Sequence, residues 1–357
     1  MRQWDKGGMG FIHISTYPHI PIYPFTIFIK KMEVMNMKKF FISALLLMFS
    51  FCSIPLFAGG SQVYPNGAEA FMIAAVPPPG FYGINYFAYL NLPKLTDDKG
   101  NDMGVFHHGR VVADVQRIIW VSKYNLFGGN YGQHLFIPFL YKELDFNAPV
   151  GPKSESHQSD FNVPYLIYSP FLWAKHLMKG KLHIAVSLAD IYIPVGSHDD
   201  KNLAGVGINW WTIEPVFTFT YLPGPWEISL KFMYDFSTKG DDYPTPYGLK
   251  FDRTPGQEFH FDYNLAYAIN KKFKIGINGF WYQQTTDDDY DDKDKAPAPV
   301  QKLLDDDENN HSKAFAIGPG IWLNINKFFV TLRYQQTLYE RNFPEMQNFW
   351  VKVIWRF

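Results

Sequence analysis

Residues able to do chemistry are few along this chain. His157-Gln158-Ser159, followed by Asp160, assembles a base, a hydroxyl and a carboxylate, the residue types of acyl transfer. His107-His108 and Asp114 offer metal-ligating types, but adjacent histidines on an extended chain project to opposite faces and make poor joint ligands. From Asp287 to Glu308 ten acids stand against three lysines, oxygen donors suited to Ca²⁺ or Mg²⁺, without the glycine and spacing of a calcium loop. No phosphate loop, dinucleotide fingerprint or zincin motif is present. The expectation is therefore no catalytic residue, no metal and no cofactor. The histidines read as surface or lumen groups, and the acidic run reads as a solvated, mobile external loop.

The 357 residues carry 33 Lys+Arg against 34 Asp+Glu, so no basic footprint points to nucleic acid. One cysteine supports neither a disulfide framework nor a thiolate metal site. Aromatic residues reach 18%, and long amphipathic helices are hard to find.

From Met37 the chain reads MKKFFISALLLMFSFCSIPLFAGG, with two lysines, an apolar run to Phe57 and small residues beyond. That is a secretory signal peptide over 37–58, cut after Ala58, and residues 1–36 read as an over-extended start. The remaining 299 residues carry 27 basic and 32 acidic side chains and no cysteine, which suits an exported chain.

The dominant period is two. In FHFDYNLAYAI, Phe259, Phe261, Tyr263, Leu265, Tyr267 and Ile269 oppose His260, Asp262, Asn264, Ala266 and Ala268. The same split recurs from Ile228 to Phe236 and again from Phe328. Twelve such runs are expected, at about 83–92, 109–121, 133–142, 161–174, 181–193, 209–221, 226–238, 257–269, 273–285, 313–325, 328–340 and 348–357. Runs of ten residues or more suit a tilted strand crossing a bilayer better than a soluble sandwich. Trp210-Trp211, Tyr221, Trp226, Trp281-Tyr282 and Trp322 lie near strand ends, where an interfacial girdle would be. The connections alternate long and short, as external loops and periplasmic turns do.

The expected fold is all-β: a closed antiparallel transmembrane β-barrel of about 12 strands over 81–357, in the bacterial outer membrane. Residues 59–80 would be a periplasmic or lumenal segment able to occlude it. Outer-membrane lipid and lipopolysaccharide would surround it. The last strand places Phe349, Val351, Val353, Trp355 and Phe357 on one face, ending on an aromatic. This resembles the signal read by the barrel assembly machinery.

Tyr64-Pro65-Asn66-Gly67-Ala68-Glu69, PPPGFYGINYFAY from Pro77 to Tyr89, Asn209-Trp210-Trp211-Thr212, Tyr282-Gln283-Gln284, Ile317-Gly318-Pro319 and Tyr334-Gln335 carry a family resemblance. Together they resemble the outer-membrane proteins of the meta-pathway of phenol degradation family, regarded as transporters of hydrophobic compounds. The resemblance implies transport without naming a solute. The acidic insert after Gln284 and Phe343-Pro344 after Asn342 depart from the family pattern.

Inward-facing candidates are Glu214, Glu227, Lys231, Asp235, Glu258, His260, Asp262, Asn264, Asn278, Gln284, Arg333, Gln335, Lys352 and Arg356, with Lys274 and Thr331 beside them. Phe280 and Tyr282 can join them and stack on a ring. Both charge signs occur, so this set fits either a narrow conduit or a salt-bridged filling. The expected function is a pore or transporter for small, aromatic or hydrophobic compounds. The alternative is a structural or adhesive barrel acting through its external loops. Less favoured is an outer-membrane phospholipase built on His157 and Ser159, because no Asn-Gly follows the serine.

Overall fold

A strand that buries its charges and exposes its hydrocarbon does not belong to a water-soluble core. The computed structural model describes residues 63–245, 249–308 and 311–357, and this inversion runs through it. Along one strand Glu258, His260, Asp262 and Asn264 are buried, while Leu265, Tyr267 and Ile269 are exposed. The only environment in which that arrangement is stable is lipid outside and a polar interior.

The strands are β1 (Gly80–Leu92), β2 (Phe106–Leu126), β3 (Gly129–Val150), β4 (Glu155–Asn162), β5 (Tyr165–Leu177), β6 (Leu182–Pro194), β7 (Thr212–Tyr221) and β8 (Trp226–Ser237). They continue with β9 (Gly240–Pro244), β10 (Lys250–Thr254), β11 (Glu258–Asn270), β12 (Phe273–Gln284), β13 (Asp289–Tyr290), β14 (Lys313–Ile325), β15 (Phe328–Arg341) and β16 (Gln347–Arg356). Barrel neighbours pair antiparallel, and β1 closes on β16 with Ile84 opposite Ile354. Both β4 and β5 pair with β3, so they form one stave interrupted at 163–164, where Pro164 has no N–H to give. Counted this way the closed barrel has twelve staves, as the periodicity implies. With β9, β10 and β13 set aside in a separate three-stranded sheet, every barrel strand but β4 pairs on both sides, and beside β4 the Asn202 amide donates to the Ser159 carbonyl.

At one end the turns are tight, at 127–128, 178–181, 222–225, 271–272 and 326–327. Phe127 and Gly128 both take positive φ, 52° and 76°, as a two-residue hairpin turn with matching twist requires. At the other end the connections are mostly longer, and here the structure departs from expectation. Residues 143–160 are not a long loop: β3 runs on to Val150 and turns into β4 over 151–154. The acidic run is not simply solvated either. Asp288 is buried in an ion pair with buried Arg253, Asp287 lies 2.7 Å from His311, and β13 pairs with β10. A buried guanidinium needs such a partner, and supplying one anchors the loop. The segment then forms the helix Ala298–Glu308.

The expected signal peptide over 37–58 and the residues before it lie outside the described residues.

Candidate functional site

The inner wall has two unlike halves. On β1 and β2 it is apolar, with Tyr82, Ile84, Ala88, Leu90, Val115, Ile119 and Val121 buried in one cluster. Across β6, β7, β8 and β11 it is acidic. Asp190 stands opposite Glu214, and Asp235 stands opposite Glu258. The pairing of Thr212 with Ser237 and Ile213 with Phe236 brings Glu214 level with Asp235, so four buried carboxylates form one row.

Between these halves runs the chain's own segment 63–79. Asp262, fully buried, is its main socket: the carboxylate accepts from the Tyr64 hydroxyl at 2.8 Å, the Gly67 N–H at 2.8 Å and the Glu69 N–H at 2.9 Å. Arg333 on β15 donates to the carbonyls of Gly67 and Ala68, and Gln335 donates to Gly67 as well. The Glu69 carboxylate receives Tyr86 at 2.7 Å, Arg117 at 3.1 Å and the Lys352 ammonium. Nearer the tight-turn end, the N–H groups of Met72 and Ala74 donate to Glu227 and Thr220. Ring contacts add to this, with the Lys231 ammonium 4.1 Å above the Tyr64 ring. Gly67 sits at φ +83°, and an added Cβ would lie 2.2 Å from Gln335 Oε1, so only glycine fits the tightest point of the segment. A small residual cavity beside it is lined by Ile73, Val76, Leu172, Val216, Arg117 and His134, among others.

Residues 94–353 match the sequence profile of the family described as "Putative MetA-pathway of phenol degradation". The chain belongs to this family. Among solved structures, an outer-membrane channel from Pseudomonas putida F1 superposes with a TM-score of 0.66 at 11% identity, over 81% of this chain and 99% of that one. That likeness shows a shared barrel fold. The translocator domain of autotransporter NalP from Neisseria meningitidis gives a TM-score of 0.41 at 10% identity, over 80% of this chain and 91% of its own. A TodX monoaromatic hydrocarbon channel mutant gives 0.41 at 10% identity, over 84% and 95%. No curated protein matches the chain.

Within this family member, Glu214, Glu227, Lys231, Asp235, Glu258, His260, Asp262, Asn264, Asn278, Gln284, Arg333, Gln335 and Lys352 are all buried. Arg356 is not: it is exposed at the tight-turn end, its guanidinium over the Tyr82 ring. The barrel ends there, so an inward position no longer means an enclosed one. Trp210, Tyr282 and Trp322 are also not in a lipid girdle. Trp210 packs in an inner cluster, Tyr282 donates to Glu258, and Trp322 lies against Phe71 under the Lys274 ammonium, whereas Trp211 and Trp226 are exposed.

The sequence pattern did not reveal Glu69, Arg117, His134 or Asp190. His134 reaches Asp190 at 3.1 Å on the wall whose strands alternate least cleanly, and Glu69 lies on no strand. The acyl-transfer trio does not assemble: His157 bonds Asp145 at 2.6 Å, while Asp160 accepts the Val206 N–H. His108 meets Asp145 and Glu143 beside Arg110, and Asp114 is engaged by Asn85 and Gln116 instead.

Proposed function

We propose that the barrel is an outer-membrane channel for small apolar or aromatic compounds, closed at rest by residues 63–79. The observation that carries this reading is what fills the lumen. Wall side chains alone could fill an eight-stranded barrel, but twelve staves leave room, and here that room holds a hydrogen-bonded chain segment that can leave without unfolding the wall. Beside it stand an apolar wall and buried rings such as Tyr86, Phe280 and Trp350, surfaces on which an aromatic solute can rest weakly and move on. Passage needs no bond chemistry, only entry, weak binding and release.

The partners that follow are bilayer lipid around the exposed apolar belt, lipopolysaccharide at the external rim and the barrel assembly machinery during insertion. The lumen-facing groups named above would set which solutes pass.

Planar-bilayer conductance of the refolded chain, with and without residues 59–80, tests the reading. Low conductance in the intact chain and a stable, larger conductance in the deletion are expected. Silence in both forms, with the barrel folded, would sink the channel reading and favour a barrel that acts through its external loops.

A further inference from the structure

Three side chains in and beside the acidic row make no hydrogen bond to the inserted segment. Glu214 on β7, Asp235 on β8 and His260 on β11 are each buried to within 1% of full enclosure. Among the described residues, both oxygens of Asp235, both ring nitrogens of His260 and Oε1 of Glu214 have no hydrogen-bond partner. That many buried polar atoms without a protein partner are costly, and the charge makes it worse. Glu258 lies directly opposite Asp235, and the ammonium of Lys231 comes only to 3.8 Å of Glu214 while resting on the Tyr64 ring.

The spacing suits a shared cation. Nε2 of His260 lies 3.4 Å from Asp235 Oδ2 and 3.8 Å from Glu214 Oε2, and one donor atom from each residue falls within 4.8 Å of the other two. Those separations are too long for good hydrogen bonds. They approach the distance of about 3.4 Å between neighbouring ligands held about 2.0–2.1 Å from a tetrahedral zinc ion. On Glu214 the Tyr192 hydroxyl donates to Oε2 at 2.9 Å, which orients the carboxylate and leaves Oε1 as the oxygen without a hydrogen-bond partner.

We propose that Glu214, Asp235 and His260 bind one divalent zinc-class cation, tying three adjacent staves together beside the inserted segment. One imidazole and two carboxylates form a mixed nitrogen and oxygen set that favours Zn²⁺ over Ca²⁺ or Mg²⁺. The ion would sit next to the Asp262 socket, since the His260 and Tyr64 rings are 5.1 Å apart. A second cluster, His108, Glu143 and Asp145, is more open, and Arg110 already neutralises Glu143. It serves as the internal control.

The full chain, refolded in detergent and stripped with chelator, is dialysed against Zn²⁺, and bound metal is counted by elemental analysis. One zinc per barrel is expected, retained in His108→Ala and reduced at least tenfold in affinity in His260→Ala and Asp235→Asn. Heat-modifiable gel mobility checks that each variant is folded. Should the variants not fold, Co²⁺ added to the unaltered chain must give the intense visible bands of a four-coordinate site. No zinc in the folded barrel, zinc lost only with His108, or a Co²⁺ spectrum of six-coordinate type would each overturn the proposal and leave a cluster of carboxyl groups sharing protons.

Discussion

Asp262 and Arg333 grip opposite polarities of the same stretch of chain. The carboxylate takes the N–H groups of Gly67 and Glu69, while the guanidinium takes the carbonyls of Gly67 and Ala68. They stand on β11 and β15, so the inserted segment is fixed between two walls. The backbone dipoles in turn solvate two charges that the lumen could not otherwise bury.

Removing one grip should free the segment without melting the barrel. Asp262→Ala leaves one hydroxyl and two buried N–H groups unpaired, a loss of about 2–4 kcal/mol from hydrogen bonds to a charged acceptor. The expected result is channel conductance in the variant, with heat-modifiability kept. A folded Asp262→Ala barrel as silent as the parent would mean that the socket does not hold the segment.

Gly67 offers a subtler lesion. Alanine there must adopt φ near +83° and push its Cβ into the Gln335 amide. Left-handed strain costs about 1–2 kcal/mol per non-glycine residue, with the clash added. Gly67→Ala should therefore raise protease sensitivity of residues 63–79, and Gln335→Ala should restore part of the protection by clearing the space. If the double variant is no better protected than the single one, the clash is not the cause.

How much of this was legible in the sequence depends on which side of the barrel is considered. On β8, β11 and β15 buried polar residues alternate with outward hydrocarbon, so these strands appear nearly to the residue; β14 appears over 313–325 as well, although its buried positions are Ala314, Ala316 and Gly320. On β1 and β2 the inner face is itself apolar, and period two loses its contrast: Ile84 faces in while Phe87 faces out. Arg117 on β2 and His134 on β3 therefore stand in no clear polar period. The grip of Asp262 on backbone N–H groups was invisible in principle, because a backbone donor carries no residue type. The His260 cluster needed register: Glu214, Asp235 and His260 come from three strands, and only the pairing brings them together.

Asp114 points outward from the barrel wall, hydrogen-bonded to Asn85 and Gln116 and flanked by exposed Phe87 and Ile118. A carboxylate on a lipid face is destabilising, though less so than a lysine or arginine. Asp114→Leu should stabilise the barrel by about 1 kcal/mol in urea unfolding from phospholipid vesicles. A loss of stability instead would show that this patch meets something other than lipid.

The external loops should respond to acid before the barrel does. The Asn101 side chain holds Asp97 below the usual carboxylate range, and the Lys250 ammonium does the same for Asp200. A depressed folded value stabilises the loops above the ordinary value of about 3.9, and the effect is lost as pH falls through the folded value. Limited proteolysis at 93–105 and 195–211 should therefore rise below about pH 4, while the pattern from β11 to β16 stays unchanged. Equal loosening of both regions would contradict it.

Phe357 separates folding from assembly. Its side chain is 72% exposed, its N–H donates to the Phe81 carbonyl at 3.2 Å and its ring meets only the edge of Trp355, so it adds little to the finished barrel. Deleting it should change the stability of refolded protein by less than about 1 kcal/mol, typical of an exposed end. If Phe349, Val351, Val353, Trp355 and Phe357 form an assembly signal, the same deletion should lower the amount of barrel in the outer membrane several-fold. Losses that match in both assays would make Phe357 an ordinary structural residue, and normal amounts in the membrane would remove the signal altogether.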